Sequence, residues 1–362
     1  MNIQSLIRPE LLTMEPYTPI VPFDVLSARL GRAPADIVKL DANENPYGPS
    51  PRARAALASL PFPHIYPDPE STALRAALAR DLGLPAQNIL AGSGADELID
   101  LILRLFISPG DAVIDCPPTF GMYSFDTAIN AGKLLTVPRR ADFSVDVAAI
   151  ENLVIHHSKL KTLFLASPNN PDGGLLADAD LRRLLDLPLA VVLDEAYIEF
   201  SGTPGHAAWV TERDNLIVLR TFSKRAGLAG LRVGYGIFPS ALMPHLWKIK
   251  QPYNVSVAAT AAALASLDDP GYMGQVVAAL VAERNRMAEA LSELPFVRAY
   301  PSHANFVLCR VVGRDAKELK LELEQRGILV RYFNKPGLTD CIRISAGKPE
   351  QTDALVQALK SV

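Results

Sequence analysis

Short apolar runs recur through the middle of the chain at 88–91, 112–115, 134–137, 161–166, 189–193, 216–220 and 233–238. Their length and β-branched content predict buried strands. Between several of them the apolar positions take helical spacing, as at 96–106, with Leu98, Ile99, Leu101, Ile102 and Leu105 apolar, and at 179–187. This alternation predicts an α/β fold with a mostly parallel sheet between helices. Past about residue 255 the rhythm changes to long helices at 255–267 and 272–293, strands near 305–310, 329–332 and 341–345, and a last helix at 351–360. A smaller α+β domain is expected there. The first 35 residues carry Pro9, Pro16, Pro19, Pro22 and Pro34, too many for one long helix. They predict an arm that runs over the smaller domain or a neighbouring subunit. The expected organisation is an arm at 1–35, a large domain at 36–254 and a small domain at 255–362.

Composition narrows the function classes. The 362 residues suffice for about two domains, and 49% hydrophobic with 21% charged residues excludes wholesale disorder. Thirty-six Lys and Arg against 39 Asp and Glu leave a net charge of -3, without the positive surplus that binding to nucleic-acid phosphates requires. Cys116, Cys309 and Cys341 lie far apart, which predicts reduced thiols and no zinc site. His156 and His157 fall at a predicted helix end, the other four histidines are scattered, and no metal is expected. The longest low-polarity stretch, 255–267, is too short to span a bilayer. The start, MNIQSLIRPELLTMEPY, is broken by Arg8 and Glu10 and lacks a signal-peptide core. A cytoplasmic protein is expected.

In an open parallel sheet, ligands bind beyond the carboxyl ends of the strands. The run 161–166 leads into Ser167-Pro168-Asn169-Asn170-Pro171, 189–193 into Asp194-Glu195-Ala196-Tyr197, and 216–220 into Thr221-Phe222-Ser223-Lys224. A fourth element, Gly92-Ser93-Gly94-Ala95-Asp96-Glu97, joins a strand to a helix and offers backbone N–H groups to an anion. Singly these have ordinary explanations: Asp194 as a cap, Lys224 as a solvated lysine, Asn170 as a turn residue, the glycines as a tight turn. Together they match one chemistry. An aldehyde cofactor with a pyridine ring and a phosphate needs an amine, an acid for the ring nitrogen, donors to its phenolic oxygen and a phosphate cradle. Lys224 supplies the amine, Asp194 the acid, and Asn170 and Tyr197 the donors. The Ala95 and Asp96 amides, Thr221, Ser223 and Arg232 supply the cradle.

The segments GADELI, CPPTFGMY, SPNNPDGG, DEAY, TFSKRAGLAGLRVGY and CIRISAG, with LDANENPYGP and IYPDPES nearer the start, carry a resemblance. Over essentially the whole chain, the sequence resembles the fold-type I pyridoxal-phosphate aminotransferases, and within them the histidinol-phosphate aminotransferase family. The resemblance implies that Lys224 binds pyridoxal 5'-phosphate covalently and moves the proton in catalysis, and that Asp194 holds the ring nitrogen. It places Phe120 where relatives stack a tyrosine on the ring. Tyr66 matches a tyrosine that reaches the cofactor phosphate of the other subunit, which implies a homodimer. Arg343 sits inside an apolar strand, where an unpaired guanidinium is costly, and its fork suits a carboxylate or phosphate. By resemblance it takes the carboxylate of glutamate or 2-oxoglutarate, and with Arg331 the phosphate of histidinol phosphate. Tyr17 assists from the arm and Asn43 lines the pocket. Asp172 replaces the usual threonine, and Arg225 and Ala226 depart from the pattern after the lysine.

Other assignments compete. Gly92 and Gly94 open a helix, with Asp115 at the end of the next strand, which is half of a dinucleotide fingerprint. Glu97 replaces its third glycine, and an NAD-dependent oxidoreductase leaves Asp194 and Lys224 without a role. A ligand-sensing regulator needs a DNA-binding module, and the proline-interrupted arm has room for none. An aromatic-amino-acid aminotransferase and a decarboxylase of a phosphorylated amino acid share the expected fold and stay open at this point.

Overall fold

The computed structural model describes residues 2–17 and 21–362; Pro19 lies outside the described residues. The large sheet has seven strands in the order Ile89–Gly92, Gly234–Ile237, Leu216–Thr221, Ala190–Asp194, Leu160–Ala166, Ala112–Asp115, Lys133–Thr136. All run parallel except Gly234–Ile237, which is antiparallel to both neighbours. The continuous apolar runs arise because helices cover both faces. Along Leu216–Thr221, alternate side chains enter opposite layers: Ile217 and Leu219 pack with Leu98, Ile102 and Phe164, while Leu216 and Val218 pack with Leu181, Leu184 and Ala259.

The small sheet is antiparallel, in the order Arg331–Tyr332, Cys341–Ser345, Phe306–Val311, Val297–Ala299. Ile342, Ile344, Val307 and Cys309 turn into a core with Leu319, Leu323, Met287 and Leu355 from the covering helices. Period two therefore sends Arg343 and Ser345 to the other face, toward the large domain. The strand expected at 329–332 is two strands. Ile328–Leu329 pairs in parallel with Val38–Lys39, and Arg331–Tyr332 pairs with Cys341–Ser345, so the chain changes partner at Val330.

Two stretches pack across the expected domain boundaries. Val38–Lys39 joins the small domain through that pairing, and helix Val257–Leu267 lies on helices Pro51–Ala58 and Thr72–Leu82 of the large one. The arm divides as well. Its helix Pro9–Leu12 lies beside helix Met122–Ile129 of the large domain, where Arg8 donates to the Ile129 carbonyl at 2.7 Å. Helix Phe23–Leu30 seats Leu26 against Ile37 and Leu329. Among the described residues no helix is long and apolar enough to cross a membrane, and the three cysteines are buried and unpaired.

Candidate active site

The loops at the carboxyl ends of the parallel strands meet in a cavity of about 140 Å3. Asn170, Asp194, Tyr197, Ser223 and Lys224 line it from three consecutive loops. Thr221, Arg232, Ala95 and Asp96 close one end, and Phe120 stands at its wall.

Asp194 ends its strand 6% exposed. Its Oδ2 accepts from the phenol of Tyr123 at 2.7 Å and its Oδ1 from the Ala196 N–H at 3.0 Å. Burial pushes the carboxyl up to about 6, against the pull of those two donors. Sequence reasoning did not single out Tyr123. It lies within the CPPTFGMY segment, but the contact spans 71 residues and no local signal marks it.

At the far end, helix Gly94–Phe106 presents a first turn with no side-chain cap, leaving N–H groups for an anion. Gly94 has a φ of +79°, and a Cβ there would fall 2.6 Å from Arg232 Nη2. Only glycine lets the guanidinium lie over this turn. Arg232 also pairs with Asp96 at 2.5 Å, and Thr221 Oγ1 donates to Ser223 Oγ at 2.9 Å. Two hydroxyls, a guanidinium and uncapped amides form an anion cradle.

Lys224 lies between these ends. It is half-buried, its Nζ is 5.4 Å from the centre of the Tyr197 ring, and among the described residues it forms no ion pair. The Tyr197 hydroxyl accepts from Asn43 Nδ2 at 3.1 Å. Asn43 is buried in the left-handed region, with φ 53°, and its N–H donates to Ser345 Oγ at 2.8 Å, so it bridges the small sheet to Tyr197.

Arg343 reaches the cavity through Asn170, whose Oδ1 accepts from Nη1 at 2.5 Å; its Nη2 donates to the Asp41 carbonyl at 2.8 Å. Burial, with Arg331 adding to it, pulls the guanidinium down to about 10. Arg331 is the direct cross-strand partner of Arg343. Like charges placed so oppose pairing, and among the described residues neither arginine has a carboxylate partner. Tyr17 stands 44% exposed, edge-on to Phe125 at 5.9 Å. Tyr66 is not brought into this cavity. It is 80% exposed and stacks on Tyr253 at 4.7 Å.

The departures have structural partners. Asp172 accepts from Asn169 and from the Gly174 N–H at 2.8 Å, closing the turn of SPNNPDGG. Arg225 pairs with Asp81 at 3.2 Å and Glu199 at 3.5 Å, and Ala226 is buried in the core. Glu195, next to Asp194, turns away from the cavity and takes two bonds from Arg220, at 2.9 and 2.7 Å, plus the His206 N–H at 2.6 Å. This buried set anchors the strand end that carries Asp194. Glu97 accepts from the Ser93 N–H at 2.6 Å and from Asn254 at 2.7 Å, tying down the turn before the helix. Among the described residues no group of three acidic, histidine or cysteine side chains is placed to hold a metal.

Residues 35–359 match the family of class I and II aminotransferases. The chain is 58% identical to a chloroplastic histidinol-phosphate aminotransferase of Nicotiana plumbaginifolia, over 98% of this chain and 86% of that one. It is 55% identical to a histidinol-phosphate aminotransferase of Roseiflexus castenholzii, over 100% and 99% of the two chains. Among solved structures it superposes on the histidinol-phosphate aminotransferase of Sinorhizobium meliloti in complex with pyridoxal-5'-phosphate, with a TM-score of 0.88, 29% identity, and 99% and 98% of the chains covered.

Proposed function

Because the chain belongs to the histidinol-phosphate aminotransferases of the class I and II family, we propose that its cavity holds pyridoxal 5'-phosphate and carries the amino group of L-histidinol phosphate to 2-oxoglutarate. The products are imidazole acetol phosphate and L-glutamate, and the step belongs to histidine biosynthesis.

The residues present fit that cofactor. The cradle of Arg232, Thr221, Ser223 and uncapped amides suits a phosphate. The buried Asp194 suits a protonated ring nitrogen, Asn170 and Tyr197 offer donors for a phenolic oxygen, and Phe120 offers an aromatic face without a hydroxyl. When bound, the cofactor supplies an electron-withdrawing ring that stabilises negative charge on the substrate carbon. Lys224 Nζ would hold the cofactor and, as a free amine, would take the proton from the substrate carbon that bears the amino group. Asp194 keeps the ring nitrogen protonated. The Asn43 amide, bonded to the Tyr197 hydroxyl, fixes that ring beside Lys224.

The observation that carries the substrate assignment is the pair of directly opposed arginines. Arg343 and Arg331 share one sheet face without a carboxylate between them, an arrangement that a dianionic phosphate stabilises. Arg343 alone suits the carboxylate of glutamate or 2-oxoglutarate. Arg331→Ala is expected to lower kcat/KM for histidinol phosphate by roughly ten- to a hundred-fold, since a charge-assisted hydrogen bond contributes about 1.5–3 kcal/mol. The glutamate half-reaction should change far less, and Arg343→Ala should impair both. Stopped-flow half-reactions with each donor measure this. An unchanged histidinol phosphate reaction in the Arg331 variant would favour an aromatic amino acid as the donor.

Tyr66, with exposed Phe62 and Ile65, borders an apolar groove of about 360 Å3 between residues 60–73 and helix Val257–Leu267. These exposed rings support a homodimer in which Tyr66 serves the partner's cofactor phosphate. Sedimentation equilibrium at micromolar concentration should give twice the chain mass, and a monomer there overturns the assignment. The Nicotiana relative is chloroplastic, and buried unpaired thiols suit any reducing compartment. The cytoplasm is proposed, and fractionation of the source cells checks it.

A further inference from the structure

Tyr123 makes a bond that none of the steps above uses. Its side chain is fully buried, stacked on Phe164 at 5.1 Å and edge-on to Phe120 at 5.7 Å, and its phenol donates to Asp194 Oδ2 at 2.7 Å. A second bond, from Thr127 Oγ1 to the Tyr123 carbonyl at 2.6 Å, fixes the helix turn that carries it. Around Asp194 the charged neighbours work against a second negative charge. Asp96 from the cradle helix and Glu195 on its own loop both oppose ionisation, and Asp115 and Tyr197 lie close to the Tyr123 phenol. Lys224 and Arg232 are the cations that line the same cavity. Among the described residues, Tyr123 is the one side chain that donates to the carboxylate; the other donor is the Ala196 amide.

We infer that Tyr123 is the positioning residue of Asp194: its phenol holds the carboxylate as an anion and turns its remaining lone pairs toward the cofactor's ring nitrogen. This rests on the assignment of Asp194 to that nitrogen. Burial raises the phenol well above its ordinary value, so the proton stays on Tyr123 and the negative charge on Asp194. The bond is then charge-assisted. Removing it should raise a carboxyl that already stands at about 6, and the loss should be greatest where that group titrates.

The test is the affinity of the protein for pyridoxal 5'-phosphate, by equilibrium dialysis from pH 5 to 9, each variant taken as a ratio to wild type so that the cofactor's own titration cancels. Tyr123→Phe keeps the ring and both aromatic contacts. It is expected to weaken binding about ten-fold near pH 6 and less at pH 8, since a hydrogen bond to a charged group is worth roughly a factor of ten or more. The acid limb of kcat/KM should move up by about one pH unit. Site-specific 3-fluorotyrosine at 123, a more acidic phenol of nearly the same shape, should move both in the opposite direction. A Tyr123→Phe affinity ratio that is constant with pH, whatever its size, means a packing role and overturns the inference, as does a fluorotyrosine shift of the same sign. Asp194→Asn separates the two levels. If it binds cofactor as wild type does, the assignment of Asp194 fails; if it loses affinity while Tyr123→Phe tracks wild type, the inference alone fails.

Discussion

Lys224→Ala is expected to lower transamination of histidinol phosphate by at least ~10^4-fold while the protein folds normally and still retains cofactor non-covalently. The expectation follows from what surrounds the side chain. Lys224 is half-buried in the loop that follows strand Leu216–Thr221 and forms no ion pair among the described residues, so truncation orphans no charge partner there and costs the fold little. What disappears is the amine at the centre of the cavity, both the attachment point and the group that carries the proton. Retention should persist through contacts that Lys224 does not make: the Arg232 cradle, Asp194 and Asn170. A small primary amine added to the buffer should restore part of the rate in proportion to its concentration, because the cavity then has room for it. Single-turnover kinetics with dialysed holoenzyme measure both effects. Multiple turnover near the wild-type rate would remove Lys224 from its role.

Asp194→Ala should produce the second largest loss, several kcal/mol of transition-state stabilisation, where each ~1.4 kcal/mol is a factor of ten in rate. A carboxylate buried to this degree is disfavoured as an anion, which is why it stands at about 6. A protonated ring nitrogen beside it offsets that cost, and the paired charges keep the ring an electron acceptor. Without the carboxylate the nitrogen loses its proton at neutral pH and the acceptor weakens. The loss should therefore appear in deprotonation of bound substrate more than in substrate binding. Rapid-mixing measurements of that step at saturating donor test it, and an unchanged rate constant would show that the ring nitrogen is held by another group.

The strands were legible because burial on both faces writes them as short, mostly apolar runs. Positions 112–115 and 341–345 coincide with the observed elements, and the other large-sheet strands differ by one residue at one or both ends. Helix Gly94–Phe106 announces itself because its apolar residues share the face that meets the sheet, while Asp96, Glu97, Asp100 and Arg104 share the other. Helices Pro51–Ala58 and Thr72–Leu82 went unnoticed, since their Ala- and Arg-rich stretches carry a weak apolar stripe and gain their place by packing on Val257–Leu267. The break at Val330 was equally hidden, because a change of pairing partner leaves no mark in the run ILVRYF.

At the site, Lys224, Asp194, Asn170 and Tyr197 could be found because each immediately follows or ends an apolar strand of a parallel sheet. Arg343 was legible as a charge inside an apolar strand of the small, antiparallel sheet. That Arg331 faces it across the sheet depends on register, and the bond of Tyr123 to Asp194 depends on tertiary contact; neither leaves a trace in local pattern. Tyr66 entered through the resemblance; within the chain it lies outside the cavity, 80% exposed and stacked on Tyr253.

The edge position of Arg331 bears on how this enzyme can diverge. Strand Arg331–Tyr332 is held to Cys341–Ser345 by just two residue pairs, Arg331 with Arg343 and Tyr332 with Ile342. A one-residue slip on a pleated ribbon sends every side chain to the opposite face, so a change of that short register would turn Arg331 away from Arg343. Arg343, inside the sheet between two strands, stays where it is, as do Lys224 and Asp194 on the other domain. On the proposed roles, choice of donor and capacity for chemistry rest on separate pieces of backbone. A relative in which that register differs is expected to lose the second cation of the proposed phosphate site while the groups proposed to hold cofactor and acceptor keep their places.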